Sequence, residues 1–317
     1  MTREESKMMQ GIGIFVMIFY HLFNPQLNSF YRDTVLGHIG LAANPVPLYC
    51  ILTGYGLYKV NQNGIDQHRW TRCLRIYICY WVITSVFVLV SLLMHQTRCT
   101  ITLPIVVANL IDWKADYYPP AWFILPYCLL SLSAFWIFKI FDKLRVWHGL
   151  FIAYVIYILS SRMNAFSWFG QNIFQTLYIL FPFVLGGALA RTRCVDFCDA
   201  WLSKFSVYVT VGVLVIVLLL RYFLYTGAVV SFFWAAVIVL SVHLIRLTGG
   251  GKVLLFFGNQ NLNMWMIHAW ICWYMFQPLT NMIENSFLKY ILVVGLSLVL
   301  SIVFNMILNP LYQLLRK

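Results

Sequence analysis

The run Lys7-Met8-Met9-Gln10-Gly11-Ile12-Gly13-Ile14-Phe15-Val16-Met17-Ile18-Phe19-Tyr20-His21 starts on a cation, continues as an apolar core and ends on an imidazole. Written as a helix it places His21 about 21 Å along the axis from Lys7, at roughly 1.5 Å per residue. Helical spacing sets Lys7, Gln10, Ile14, Met17, Ile18 and His21 along one face. Gly11 and Gly13 leave room for a neighbouring helix to come close. An ionisable ring at that depth is costly in hydrocarbon, and such residues usually face a bundle interior and serve a site. The structural alternative is a core histidine satisfied by a backbone carbonyl or a hydroxyl.

The rest of the chain agrees with a membrane reading. Of 317 residues, 62% are hydrophobic and 10% charged, with a mean hydropathy of +0.79. Soluble domains carry about 25% charged residues. Apolar stretches of about 20 residues separated by short charged loops predict helices, and the period-2 alternation of an outer-membrane barrel is missing. The expected architecture is an all-α polytopic transmembrane bundle. Its ten spans fall near 9–29, 38–58, 76–95, 121–138, 148–160, 173–190, 205–224, 228–245, 262–278 and 287–307, within a single domain over 1–317. With the N-terminus inside, sixteen Lys/Arg fall on the cytoplasmic side, among them Arg316 and Lys317, and six on the outer side, among them Arg98. That bias predicts both termini in the cytoplasm and accounts for the +12 charge without a nucleic-acid partner. The opening residues are charge-mixed and the first apolar run is too long for the core of a signal peptide, so that helix is expected to stay.

Cys194 and Cys198 have no nearby histidine or second pair, and no metal site is expected. Gly249-Gly250-Gly251 lacks a following Gly-Lys-Ser/Thr and reads as a loop. The outer segment 96–120 holds Asp112, Asp116 and an apolar middle from Leu103 to Trp113, which reads equally as a re-entrant or an interfacial piece.

Three further constellations bear on chemistry. Arg72 and Arg75, three apart at the inner mouth of the third span, present two forked guanidiniums on one helix face, suited to phosphate oxygens or to plain membrane anchoring. Ile51-Leu52-Thr53-Gly54-Tyr55-Gly56-Leu57-Tyr58 closes the second span with two glycines and two tyrosines. Phe257 to His268 opens the ninth span with a polar cluster and a second intramembrane histidine. In it Asn259, Asn261 or Asn263 is expected to cap the helix.

Taken in order, these segments resemble the acyltransferase-3 family of integral-membrane enzymes that modify surface glycans. His21 falls at the histidine of the first-span motif, Ile51 to Tyr58 on its Leu-Ser-Gly-Tyr segment, and Arg72 and Arg75 on its Arg-x-x-Arg. Trp122-Phe123 resembles its Trp-Phe pair, Phe183 to Gly186 its Phe-x-x-Gly, and Phe257 to His268 its last motif. The usual basic residue eleven before the histidine is Gln10 here, with Lys7 one turn earlier, and asparagine stands for the usual serine near Asn259 to Asn263.

The resemblance implies an O-acetyltransferase of the plasma (inner) membrane that takes acetyl from cytoplasmic acetyl-CoA to a carbohydrate hydroxyl reached from outside. His21 is the expected general base, or the group that carries the acetyl itself. Arg72, Arg75, Lys7, Gln10 and Tyr55 are expected on the donor, and Trp122, Asp112, Asp116, His268 and Asn259 on the acceptor. No Asp or Glu lies inside a span, so the partner of His21 is sought among Asp112, Asp116, Glu284, an amide or the backbone. The competing reading is a transporter or flippase for a glycan or lipid-linked precursor using the same midplane groups. Lacking intramembrane carboxylates and repeated halves, the chain fits it less well. A glycan polymerase or ligase would need a larger outer loop than 96–120.

Overall fold

The first helix starts where the sequence supplies a reciprocal cap. Thr2 Oγ1 accepts from the Glu5 amide (3.1 Å) while the Glu5 carboxylate accepts from the Thr2 amide (2.6 Å), which satisfies two amides of the first turn. It ends at Asn24, because Pro25 cannot continue a helix and disfavours helical backbone before it. The computed structural model describes residues 1–62, 64–94, 101–163 and 171–315. Among them the regular elements are helical, with no strand: α1 (Arg3–Phe23), α2 (Val35–Ala42), α3 (Val46–Asn61), α4 (Arg69–Leu93), α5 (Leu103–Leu110), α6 (Ile124–Lys143), α7 (Val146–Met163), α8 (Gln171–Arg191), α9 (Cys194–Leu202), α10 (Val207–Phe223), α11 (Val229–Thr248), α12 (Lys252–Ala269), α13 (Gln277–Asn281) and α14 (Ser286–Leu314). Arg98, Arg316 and Lys317, counted above for orientation, lie outside the described residues, as do residues 96–100 of the outer segment and residue 95 before it.

Among the described residues seven stretches are long and apolar enough to cross a bilayer: α1, Val35–Asn61, α4, Pro119–Lys143, α8, α11 and α14. They coincide with the first, second, third, fourth, sixth, eighth and tenth expected spans. Two shorter apolar helices, Val146–Arg162 and Val207–Phe223, fall on the fifth and seventh. Val209, Val211, Val213, Val215 and Ile216 of α10 are all exposed. An outward apolar surface of that kind belongs in hydrocarbon.

The ninth expected span differs most. Its helix begins at Lys252, ten residues before 262, and ends in a π-helical turn at Trp270–Tyr274. Asn259, Asn261 and Asn263 therefore sit inside α12 and do not cap it. In the outer segment, Leu103 to Leu110 forms α5, an eight-residue helix.

The contacts gather the chain into two compact units. The first comprises Met1–Asp66 and Leu130–Asn259, the second Gln67–Leu129 and Gln260–Lys317. In the first, α3 and α8 make the most extensive helix pair. A Cβ at Gly54 would overlap the Phe183 carbonyl, and one at Gly186 would overlap the Ile51 carbonyl. Each helix thus gives the other a bare patch, so the backbones touch, which is the packing route left when apolar burial gains nothing against lipid. The start of α12 meets α1 in the same way, Gly258 against the Lys7 carbonyl and Gly11 against that of Leu254.

In the second unit the glue is polar. The Gln260 side-chain carbonyl accepts from Ser301 Oγ (2.8 Å) and Asn305 Nδ2 (2.6 Å). Asn263 donates to Asn305 Oδ1 (2.8 Å) and accepts from the Cys79 thiol (3.2 Å). Amides that satisfy one another hold α12, α14 and α4 together.

Candidate functional site

His21 sits in the last turn of α1 and is 9% exposed. Ile14, Met17 and Ile18, on its face, are buried with it, while Lys7 and Gln10 are half-buried. The predicted face is thus the inward face. The backbone under the ring is fixed at both ends of the helix: Gly11 meets α12, and a Cβ on Gly40 of α2 would strike the backbone of Phe23 and Asn24. The Tyr20 and His21 rings lie edge to face, 5.1 Å apart. Lys7 has no carboxylate partner among the described residues. Tyr55 on α3 is buried; its ring lies under the Lys59 ammonium (5.0 Å) and its hydroxyl accepts from the Met1 amino group (2.9 Å).

These residues belong to the first unit, together with Asn259, which is exposed. The other predicted site residues belong to the second. Arg72 and Arg75 occupy the first turns of α4, both half-buried. Arg75 lies over the Tyr312 ring (5.7 Å), and its Nε is buried without a hydrogen-bond partner among the described residues. No carboxylate comes within ion-pair distance of it there. Two arginines of the first unit are spent differently. Arg191 caps the end of α6, donating to the Phe141 and Leu144 carbonyls (both 2.9 Å) beside Asp142. Arg246 donates to Glu5 (2.7 Å), Asp199 (2.8 Å) and Asp196 (3.1 Å).

The two aspartates of the outer segment part company. Asp116 is exposed and lies 3.5 Å from the Asn109 amide. Asp112 is 1% exposed in left-handed backbone (φ 54°), a conformation aspartate tolerates better than most residues. Its Oδ2 accepts from the Leu125 amide (3.1 Å), capping the first turn of α6 from outside the helix, while Oδ1 is buried with no hydrogen-bond partner among the described residues. Burial with only that one hydrogen bond pushes its pKa up to about 8. Trp122 stands two residues ahead of α6, half-buried and edge to face with Phe123. His268 is fully buried, and its Nδ1 faces the Trp265 (2.8 Å) and Met264 (3.2 Å) carbonyls of its own helix. That contact fixes Nδ1 as the protonated nitrogen and leaves Nε2 as acceptor.

A family model described as an acyltransferase domain, acyltransferase-3, matches residues 4–306. The chain belongs to the acyltransferase-3 family. Searches of curated proteins and of solved structures gave no match. The match runs through every segment of both units, so the chain is a multi-pass membrane acyltransferase. The resemblance found in the motifs therefore holds, and several of those motifs prove to be packing devices: Gly11, Gly54, Gly186 and Gly258 are the points where helix backbones meet.

Two features escaped the sequence reading. One is the charge cluster of Arg246, Glu5, Asp196 and Asp199, which also takes in His243, its Nδ1 2.7 Å from Asp199. Burial raises the Asp199 carboxyl, but hydrogen bonds from His243 and Arg246 outweigh it and hold its pKa below the ordinary value. The other is a cavity at the opposite end of the same unit, bordered by Tyr20, Tyr157 and Tyr178. Its only sequence signal is the recurrence of tyrosines and amides at one end of several spans.

Proposed function

We propose that this chain is an O-acetyltransferase of the plasma membrane, with both termini cytoplasmic, moving acetyl from acetyl-CoA to a hydroxyl of a cell-surface carbohydrate or its precursor. The observation that carries the donor assignment is Arg75. Where Arg191 and Arg246 are taken up by carboxylates and carbonyls, Arg75, beside Arg72 on the first turns of α4, has no carboxylate within ion-pair distance among the described residues. A coenzyme bearing several phosphates supplies the partner such a guanidinium lacks.

In this reading His21 takes the proton of the acceptor hydroxyl as its oxygen attacks the thioester carbonyl. Collapse of the tetrahedral intermediate breaks the C–S bond and forms the ester. The proton then passes from the imidazole to the departing thiolate, so the histidine returns neutral. An imidazole can hold that proton between the two steps. Lys7, Gln10 and Tyr55 complete the donor set proposed from the motifs, and Trp122, Asp112, Asp116, His268 and Asn259 the acceptor set.

The experiment is acetyl-CoA-dependent transfer of labelled acetyl in membranes, run against a panel of cell-surface glycans with His21→Ala as control. Label appearing in one glycan with the wild type and not with the variant is the expected result. Label transfer that survives in correctly inserted His21→Ala would remove the histidine from the chemistry, and an acyl-CoA other than acetyl being preferred would correct the donor.

A further inference from the structure

The first unit contains a cavity of about 230 Å³ lined by none of the predicted site residues. Its walls come from the end of α1 (Tyr20, Gln26), the start of α3 with Asn44, the far end of α7 (Tyr157), the near half of α8 (Tyr178, Pro182) and the turn into α11 (Thr226, Ser231). At roughly 30 Å³ per water it holds the volume of seven or eight waters, the scale of a single small ring.

The chemistry of the wall is selective. No lining residue carries a formal charge, so neither an anion nor a cation finds a counter-charge. A hydrocarbon chain is equally badly served, because the border carries four tyrosines, two amides, a serine and a threonine. Several of these groups are left with bonding capacity. Ser231 is 3% exposed, and its hydroxyl has no hydrogen bond among the described residues. Among the described residues the Tyr157 and Tyr178 hydroxyls meet only each other, at 3.4 Å. Asn44 is held by its backbone, its carbonyl accepting from Trp234 Nε1 (2.7 Å), and its side-chain oxygen accepts from the Val46 amide (3.1 Å), while its NH₂ has no hydrogen bond among the described residues. The backbone adds one more acceptor. Pro182 lies inside α8 and has no N–H to give to the carbonyl four residues earlier, which is that of Tyr178, and both residues border the cavity.

Neutral donors and acceptors around aromatic faces are what a ring bearing several hydroxyls needs: its edges hydrogen-bond and its C–H faces lie on the tyrosines. The cavity also touches the reacting end of α1, since the Tyr20 ring that borders it is 5.1 Å from the His21 ring. We infer that this cavity binds a sugar ring of the acceptor, entering past the exposed Gln26 and Thr226. The inference rests on the acetyltransferase reading for the ring's role as acceptor, though not for its binding.

The test uses the full-length protein purified in detergent and a panel of methyl glycosides (glucoside, galactoside, rhamnoside and N-acetylglucosaminide) observed by saturation-transfer NMR, with acetyl-CoA binding followed in parallel. At least one glycoside should bind the wild type. Thr226→Trp, at the exposed mouth, should weaken it by about 10-fold or more, and Ser231→Ala by about 3- to 10-fold, the range of one lost hydrogen bond. Acetyl-CoA affinity should be the same in all three. No glycoside bound by the wild type, or equal binding in both variants, overturns the assignment. Should Ser231→Ala fail to fold, Thr226→Trp decides alone, because its site is on the surface. Glycoside binding that Thr226→Trp abolishes, in a protein with no His21-dependent acetyl transfer, would refute the acetyltransferase reading and uphold the cavity.

Discussion

The two ends of the first unit, about 22 Å apart along α1 from Glu5 to Tyr20 at roughly 1.5 Å per residue, solve opposite problems. At one end Arg246 is enclosed by Glu5, Asp196 and Asp199, with His243 on Asp199, and α6, α8 and α3 are tied by Arg191, Asp142 and Tyr58. Charge there is consumed in holding helices. At the other end formal charge is absent from the cavity wall, and the polar groups are hydroxyls and amides that the fold leaves underused. One end spends its polar groups on structure and the other keeps them for a ligand, and substitutions at the two ends should therefore separate stability from turnover.

The largest expected effect is at the uncharged end. His21→Ala should lower acyl transfer by about 10²- to 10⁴-fold, the usual contribution of a general base, while thermal stability and membrane abundance stay close to wild type. Stability falling in step with activity would show that His21 holds the helix end together and would erase the contrast. Arg246→Ala is the mirror experiment. It leaves three carboxylates with only the Met1 amino group and His243 beside them among the described residues, and because the network is half-exposed and screened by solvent the cost is on the order of 1 kcal/mol. Thermal stability should drop while transfer per folded molecule is retained. A selective loss of turnover would move the cluster from structure into function.

Arg75 tests the same distinction in the second unit, where a guanidinium has no carboxylate partner among the described residues. Arg75→Ala should weaken acetyl-CoA binding by about 10- to 150-fold, the loss of one charge-assisted phosphate contact, as read by equilibrium binding to the purified protein. Arg75→Lys should recover part of that, since the ammonium keeps the charge and loses the fork. Unchanged donor affinity in both variants would return Arg75 to membrane anchoring and stacking on Tyr312.

The spans were legible because a run of about 20 apolar residues is a local property, and His21 because an imidazole is expensive wherever such a run places it. The start of α12 was not. Lys252 to Asn261 carries a glycine and three amides and reads as a polar approach to a span. What makes it helical is tertiary: Gly258 fits against the Lys7 carbonyl, and Gln260 and Asn263 reach Ser301 and Asn305. The Arg246 cluster was hidden for a related reason, since its partners lie 241 and about 50 residues away in sequence and each looks alone like an anchoring charge. Tyr20, Tyr157 and Tyr178 lie far apart in sequence, and only the fold brings them to one cavity. Family motifs were recognised correctly, yet what their glycines do, letting α3 meet α8 and α1 meet α12, needed coordinates.

Asp112 sharpens the comparison with the smallest expected signal. Asp199 faces cations and is held below the ordinary carboxylate value, whereas Asp112 is buried with no cation and is pushed up to about 8. The signs are opposite. A carboxyl whose folded pKa is raised binds its proton more tightly in the native state, so its stabilisation is complete below the unfolded value near 3.8 and is lost as pH rises through about 8. Asp199, lowered, contributes above its unfolded value and is lost as pH falls through the folded one. Between pH 5 and 9 the Asp199 contribution is therefore constant, and any decline in that window reports groups of the Asp112 kind. The wild-type melting temperature should fall across it by on the order of a few °C. Asp112→Asn keeps an acceptor for the Leu125 amide and removes the titration, so its curve should be flatter. A wild-type curve with no decline, or a decline that Asp112→Asn leaves untouched, would mean that the carboxylate is ionised and stabilised by a partner, and the two aspartates would no longer differ in kind.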